Sequence, residues 1–156
     1  MKKTQTPVAG FFDRLAPGQQ VLDLFDLLPD VSFFVKDREG RFMALNRRGC
    51  EYCKVVSEEA ALGKTDHDFF PQTRADDYRE DDERVMRTGE PILNRIESAP
   101  EDVGSPRLVT TSKIPLRDRR GKVIGVAGFS RQVQRMQSGT ADAMADVIAH
   151  LHKHFA

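Results

Sequence analysis

Hydrophobic residues alternate with polar ones in two regions of the chain, and the segment between these regions has a helical pattern. This arrangement most constrains the fold. Strands are predicted at Val31–Lys36 and Arg41–Leu45, with Gly40 in the turn between them. The period then returns in three later stretches, at Ile92–Ser98, Arg107–Leu116 and Val123–Val133. Five strands with helices inserted between the second and the third predict one antiparallel sheet covered by helices, which is an α+β domain.

The helical patterns have recognisable boundaries. Asn46 is a good N-cap for a helix from about Arg47 to Lys54. The longest helix is predicted from about Gln72 to Thr88, with Gly89 just beyond it as the residue that ends it. A short helix at 21–28 precedes the first strand.

Composition and charge exclude several classes of protein. Lys and Arg number 24 and so do Asp and Glu, so the net charge is zero and a complete DNA-binding surface is not indicated. No apolar run approaches the roughly 20 residues that span a bilayer, and the N-terminus lacks the hydrophobic stretch of a secretory signal. We therefore expect a cytoplasmic protein without membrane contact.

Both ends of the chain carry apolar residues that lie outside the predicted central domain. Residues 1–18 read as a tail that contains Phe11, Phe12 and Leu15. Residues 134–140 read as a linker, and a helix follows with an apolar stripe formed by Met144, Val147, Ile148, Leu151 and Phe155. These unpartnered residues predict a homodimer.

Several local motifs occur in a fixed order across residues 19–133. They comprise Leu28–Asp30, Phe33–Phe42, Gly63–Pro71, Thr88–Pro91 and Lys113–Gly125. Together with the order ββ–helices–βββ, they resemble the PAS family of sensor domains. The resemblance implies a PAS fold, a sensory role without catalysis, and small-ligand binding between the sheet and the helices.

A second, shorter resemblance involves the C-terminal segment. Val147–Phe155 resembles the first helix of an AraC-type helix-turn-helix module, and some AraC-type regulators carry a PAS domain ahead of that module. This implies that residues 134–156 are a linker and the first helix of a truncated module, and that DNA is bound only through the missing part. Two alternatives stay open: the input domain of a histidine kinase or a cyclic-dinucleotide cyclase, and a free-standing dimerisation module without a ligand.

The fourth and fifth strands supply candidates for the wall of a ligand pocket. Alternation places Thr110 and Ser112 on one face between two aliphatic residues, which suits a pocket with a few polar groups in an apolar wall. The alternative is that these hydroxyls satisfy local hydrogen bonds. Gly128 on the fifth strand leaves room for a ligand or, alternatively, for tight packing.

The helices supply the other candidates. Gly49 and Cys53 share one face of their helix, and in light-sensing relatives the matching helix lines the pocket; Cys53 is otherwise a small buried hydrophobe. Asp82 lies on the apolar face of the long helix, where a carboxylate must be hydrogen-bonded or charge-paired. Its role is either to orient a ligand or, alternatively, structural. The full set of predicted pocket residues is Phe34, Leu45, Gly49, Cys53, Phe69, Asp82, Val85, Thr110, Ser112 and Gly128.

Cofactors and metals are not indicated. His67 is the single histidine of the sensor region and is expected to point to solvent, so haem is disfavoured; the segment 65–70 lacks the reactive cysteine of flavin-binding light sensors. Cys50 and Cys53 form one CxxC without the second pair of ligands that a structural zinc site needs, and His150 and His154 lack supporting ligands. The sequence contains neither a nucleophile–base set nor a glycine-rich phosphate loop, so we do not expect an enzyme. An unidentified small molecule remains the expected ligand.

Overall fold

The computed structural model describes residues 7–16, 22–100 and 108–133, apart from the side chain of Phe12. Five strands form one antiparallel sheet in the order β2-β1-β5-β4-β3. They are β1 (Val31–Asp37), β2 (Phe42–Leu45), β3 (Ile92–Ser98), β4 (Leu108–Arg117) and β5 (Val123–Gln132). The predicted α+β fold, with its helices between the second and third strands, is confirmed.

The α-helices lie mostly where the sequence predicts them. They are α1 (Pro7–Asp13), α2 (Arg47–Cys53) and α3 (Gln72–Thr88). Short 3-10 helices occupy Leu22–Leu27, Glu58–Ala60 and Asp66–Asp68. The segment predicted as a helix at 21–28 is thus a 3-10 helix, and part of the predicted N-terminal tail forms α1.

Local chemistry sets the helix ends. Asn46 caps α2 because its Oδ1 accepts a hydrogen bond from the Gly49 amide at 3.1 Å. The same oxygen accepts from the Phe33 amide at 2.9 Å, so this side chain also ties α2 to β1. Gly89 ends α3 in the left-handed region, with φ of 70°, as predicted.

Two buried hydrophobic clusters lie on the inner, helix-covered face of the sheet. One joins Phe42 and Leu45 of β2 to Cys50 and Cys53 of α2 and to Ala61. The other consists of Val85, Met86, Ile92 and Val126, with Val123 packed against it.

The structure reverses the predicted faces of β4. Thr111 pairs with Ser130 and Lys113 with Gly128, and these residues face the helices. Thr110 and Ser112 therefore face outward, contrary to the prediction, because neighbouring side chains of a strand alternate between its two faces. The Ser112 Oγ accepts a hydrogen bond from the Asn94 amide at 3.0 Å, which is the local role left open as the alternative.

The segments predicted as a linker and as a C-terminal helix with an apolar stripe lie outside the described residues, as do His150 and His154. Within the described ranges, no helix is long and apolar enough to cross a bilayer.

Candidate ligand-binding cavity

A cavity of about 70 Å³ lies between the inner face of the sheet and the helices. Its wall includes Ser32, Phe34, Lys36, Phe42, Leu45, Gly49, Tyr52, Cys53, Asp66, Phe70, Tyr78, Val109, Thr111, Lys113 and Ser130. A buried water needs only about 10–15 Å³, whereas an apolar cavity of about 150 Å³ accepts benzene. The volume therefore suits a molecule of a few non-hydrogen atoms.

Strand alternation builds one wall of the cavity. Ser32, Phe34 and Lys36 are alternate residues of β1 and line the cavity together. On β4, Val109, Thr111 and Lys113 do the same. Because β5 pairs with both strands, it holds these two rows on the same side of the sheet.

Four charged side chains form a buried network beside the cavity, which we call the charge quartet: Lys36, Asp66, Asp82 and Lys113. The Lys36 Nζ donates to Asp66 Oδ2 at 2.5 Å and to Asp82 Oδ2 at 2.8 Å. The Lys113 Nζ donates to Asp82 Oδ1 at 2.6 Å. Asp82 has no exposed side-chain surface, and the other three side chains expose 6% or less. The quartet therefore links β1, β4, α3 and the 3-10 helix at Asp66–Asp68.

The two carboxylates of the quartet have different electrostatic environments. Burial disfavours the charged form of Asp82, but the ammonium groups of Lys36 and Lys113 outweigh that effect and lower its pKa. Burial dominates at Asp66 and raises its pKa, because the attraction of Lys36 offsets only part of the desolvation. Burial also disfavours charged Lys36, yet Asp82 and Asp66 together raise its pKa. Asp82 is thus firmly ionised, whereas Asp66 is the carboxyl group that takes up a proton more readily.

Aromatic rings lie against the two ammonium groups. The Lys36 Nζ lies 4.8 Å from the centre of the Phe34 ring and 5.0 Å from that of Phe42. The Lys113 Nζ lies 5.7 Å from the centre of the same Phe34 ring and 5.8 Å from that of Tyr78. Such ring faces attract cations, so the apolar part of the wall also helps to hold the charges.

A chain of hydroxyl groups runs from the cavity to its rim. The Thr111 Oγ1 donates to Glu97 Oε2 at 3.1 Å and is hydrogen-bonded to Ser130 Oγ at 2.8 Å. Because the single hydroxyl proton of Thr111 goes to Glu97, Ser130 is the donor in the second bond. Arg95 joins Glu97 to Asp81 of α3, with Nε 2.8 Å from Glu97 Oε1 and Nη1 3.0 Å from Asp81 Oδ1.

The rim of the cavity adjoins a groove on the surface between α3 and β3. Tyr78, Glu97 and Ser98 line both the cavity and the groove. Arg95 and Asp81 line the groove but not the cavity, and their ion pair connects β3 to α3. The cavity and the groove therefore share part of their walls.

The predicted pocket residues divide into two sets. Phe34, Leu45, Gly49 and Cys53 line the cavity. The structure places the others elsewhere: Phe69 packs against Phe42 with ring centres 6.0 Å apart, Val85 belongs to the second core cluster, and Thr110 and Ser112 face outward. Gly128 lies under Phe34, where an added Cβ would meet the ring at 2.6 Å, which favours the alternative of tight packing. Asp82 does not line the cavity itself, but it accepts hydrogen bonds from Lys36 and Lys113, which do.

The thiols and His67 carry no reactive chemistry in this structure. Cys50 and Cys53 are buried and unpaired with each other, and burial raises the pKa of Cys53 to about 12. A thiol with that pKa stays protonated at neutral pH and is a poor nucleophile. His67 is exposed, as predicted, with its Nε2 2.6 Å from Asp76 Oδ1. Among the described residues, no group of three or more His, Cys, Asp or Glu could hold a metal ion.

Lys36, Lys113 and Asp66 were missed as site residues, and a signal was available for Lys36 alone. Lys36 lies two residues after Phe34 on a strand, so it shares a face with a predicted pocket residue. Lys113 shares a face with Thr111, and the sequence prediction placed that face outside. Charged residues are almost never fully buried unless they are paired, which is why hydropathy alone assigns them to the surface.

A five-stranded antiparallel sheet that encloses a cavity beneath a short helix, 3-10 turns and one long helix defines a class of small sensory domains. The family model described as PAS fold matches residues 25–137, and the chain belongs to that family. PAS domains are sensory modules rather than catalytic ones.

Two relatives share this region with the chain. The methanogenesis regulatory histidine kinase FilI of Methanothrix harundinacea is 34% identical over 100 residues, which are 64% of this chain and 11% of the kinase. A diguanylate cyclase of Vibrio cholerae is 30% identical over 104 residues, which are 66% of this chain and 32% of the cyclase. The chain thus spans a minor part of the curated relatives that it matches.

Solved structures show the same fold. The VqmA dimer of Vibrio cholerae superposes with a TM-score of 0.63 at 24% identity, over 76% of this chain and 52% of that one. The PAS domain of Bordetella pertussis BvgS superposes with a TM-score of 0.59 at 23% identity, over 86% of this chain and 96% of that one. At these identities the likeness establishes the architecture alone.

Proposed function

We propose that this PAS domain is the sensory input of a signalling protein and binds a small molecule in the cavity between its sheet and its helices. The observation that carries the proposal is a mostly apolar cavity with a buried lysine ammonium group in its wall. Ligand sites typically combine an apolar lining with a few well-placed polar groups. VqmA, which has the same fold, has also been solved bound to DPO.

Thermal unfolding in the presence of a metabolite set tests this proposal. A ligand at 100 times its dissociation constant stabilises the native state by about 2.7 kcal/mol. The matched variants are Ser32→Leu, which fills the cavity, and Thr110→Leu, which adds a leucine side chain to the outer face of the sheet. We expect a stabilising compound to act on the wild type and on Thr110→Leu and to lose its effect on Ser32→Leu. Equal stabilisation of all three proteins would contradict binding in the cavity.

For the output, we propose a transcription regulator in which the ligand state of the PAS domain controls a C-terminal DNA-binding module of AraC type. The support is the resemblance of residues 147–155 to the first helix of such a module. VqmA, whose fold the chain shares, is a LuxR-type receptor with a DNA target. A gel-retardation assay with the full-length gene product and promoter DNA tests this output, and ligand should change the affinity.

The second candidate output is a signalling enzyme. It is favoured by the two curated relatives, one a histidine kinase and the other a diguanylate cyclase. Incubation of the full-length product with labelled ATP or GTP separates the two candidates. Autophosphorylation or cyclic-dinucleotide formation would establish the enzyme output and reject the transcription regulator.

We also propose that the protein acts as a homodimer. Phe11 of α1 is 56% exposed, and on the outer face of the sheet Ile96, Ile114 and Phe129 are 66%, 48% and 41% exposed. Apolar side chains exposed together are typical of protein–protein contact surfaces. Light scattering at high protein concentration should give the mass of two chains, and a monomer would contradict the proposal.

A further inference from the structure

The buried ammonium group of Lys113 has donors to spare. A lysine ammonium carries three N–H bonds. Asp82 Oδ1 accepts one of them at 2.6 Å, and within the described part of the chain no other hydrogen-bond acceptor is in reach of this nitrogen. Lys36 differs, since its Nζ serves both Asp66 and Asp82. Lys113 lines the cavity and is 3% exposed, so its remaining donors lie in the interior next to the cavity space.

Tyr78 adds another donor at the same wall. Its hydroxyl oxygen accepts a hydrogen bond from Arg74 Nη1 at 3.3 Å, which leaves its own proton free to donate. Tyr78 lines the cavity, and its ring lies beside the Lys113 ammonium group. An occupant that accepts hydrogen bonds would therefore satisfy donors for which the described residues supply no acceptor, and the buried ammonium group of Lys113 gains most from such a partner.

Charge balance narrows the class of occupant further. The charge quartet contains two ammonium groups and two carboxylates, so it is neutral as a whole. At the rim, Glu97 and Asp81 share the guanidinium group of Arg95. Beside the quartet, a charged molecule would bring an additional charge that none of the four paired groups is left to match, and an unpaired buried charge is strongly unfavourable. An uncharged molecule has no such cost.

Resting on the proposed ligand-binding function, we infer that the cavity selects small uncharged molecules with a hydrogen-bond acceptor, such as a carbonyl oxygen, held by the Lys113 ammonium group. The aromatic rings of Phe34 and Phe70 and the side chain of Val109 supply the apolar part of the wall. The volume of about 70 Å³ limits the part of the ligand that the cavity encloses to a few non-hydrogen atoms.

Three probes of the same shape and different charge test this selectivity. Acetamide is neutral, acetate is an anion and acetamidinium is a cation, and each has four non-hydrogen atoms. They are titrated separately into the protein while the methyl signals of Val109 and Thr111 are followed by NMR, with Ile114 and Thr110 on the outer face as internal controls. We expect acetamide to shift the inner methyl signals in a saturable manner and to bind at least tenfold more tightly than either ion.

The outcomes separate this inference from the function on which it rests. Tighter binding of acetate or acetamidinium at the inner methyl groups would overturn the selectivity while leaving a ligand-binding cavity. Acetate binding that strengthens as the pH falls would overturn it in the same way, by showing that Asp66 takes up a proton to admit an anion. If no probe shifts the inner methyl groups, the inference fails, and the proposed function fails with it only if the metabolite set also gives no stabilisation.

Variants test the role of Lys113 itself. The double variant Lys113→Met/Asp82→Asn removes one positive and one negative charge, so the remaining pair stays neutral. It should weaken acetamide binding at least tenfold, whereas Thr110→Val should leave the affinity unchanged. Tyr78→Phe leaves the quartet intact and should weaken binding a few-fold. Acetamide affinity that is unchanged in both the double variant and Tyr78→Phe would overturn the assignment.

Discussion

The two ends of the cavity are built on different physical principles. At the α2 end, Leu45, Cys50 and Cys53 form an apolar cluster that is held by packing. At the α3 end, the charge quartet is buried just as deeply but is held by three short ion pairs. An apolar cluster tolerates substitutions in proportion to the lost volume, whereas a buried ion network fails when a single partner is removed.

The difference between the two ends shows that the same fold can provide a packed apolar wall and a polar wall with hydrogen-bond donors. At the apolar end, the Asn46 side chain satisfies two amide groups and two carbonyl groups around the start of α2. The charged end connects two strands to two helical segments and keeps spare donors beside the cavity. Each substitution below tests whether the ends differ in this way.

Asp82→Asn should have the largest effect. It weakens the links to both lysines and leaves the quartet with an uncompensated positive charge. Removal of one partner from a buried ion pair costs about 3–5 kcal/mol of unfolding free energy. Urea denaturation measures this loss. Asp77→Asn is the matched control, because Asp77 lies on the exposed face of the same helix, and its effect should stay within about 0.5 kcal/mol. Similar values for both variants would show that the quartet is not a stabilising network.

Asn46→Ala tests the apolar end and should rank second. It removes the α2 cap and leaves buried amide and carbonyl groups without partners, which should cost about 2–3 kcal/mol. Asn46→Asp keeps the acceptor oxygen for Gly49 and Phe33 but loses the donor to the carbonyl groups of Phe25 and Val31. The aspartate variant keeps the cap but places a carboxylate oxygen against two carbonyl oxygens, so it should not restore the full stability. A loss below about 0.5 kcal/mol for Asn46→Ala would contradict the capping role of Oδ1.

Asp66→Asn should cost less, no more than about 1 kcal/mol at neutral pH, because Lys36 keeps Asp82 as its partner and burial already disfavours charged Asp66. The two carboxylates should also differ in the pH dependence of unfolding. Asp66 has a raised pKa in the folded protein, so its contribution is full below its unfolded pKa, about 3.9, and is lost as the pH rises through the folded value.

Asp82 has a lowered pKa, so its contribution is present above about pH 3.9 and is lost as the pH falls through the folded value. Stability curves of the wild type and the two asparagine variants, measured between pH 3 and 7, should therefore diverge in opposite directions. Parallel curves would mean that the two carboxyl groups have the same environment.

The smallest effect concerns the thiols. Burial raises the pKa of Cys53 to about 12 and also raises that of Cys50. Alkylation by iodoacetamide at pH 8 should therefore be negligible in the native protein and rapid after unfolding in urea. Mass spectrometry of the modified chain gives the rate at each position. Fast labelling of Cys53 in the native state would show that the α2 end opens to solvent.

These contrasts also show which parts of the site can be predicted from sequence. The apolar end was largely predictable, because Gly49 and Cys53 fall on one helix face and Asn46 has the side chain of an N-cap. The charged end was not, because a lysine in a strand is read as a surface residue unless its counter-charge is known to lie opposite. Asp66 and Asp82 reach Lys36 from 30 and 46 residues away along the chain, which is a tertiary relation.

The reversed face of β4 has a related cause. Alternation defines which residues of a strand share a face but not which face is buried. Hydropathy favoured the row with Leu108 and Ile114, whose side chains are 49% and 48% exposed in the structure. The orientation is settled by Thr111 and Lys113, which line the cavity on the helix-covered face.

The most direct test of the central claim is the position of a bound compound in the domain. The metabolite that gives the largest thermal stabilisation should be examined by intermolecular nuclear Overhauser effects on the labelled protein. If the domain is a cavity-binding sensor, these effects will connect the compound to Phe34, Val109 and Thr111 on the inner face of the sheet. Contacts confined to Ile114 and Phe129 on the outer face would contradict that account.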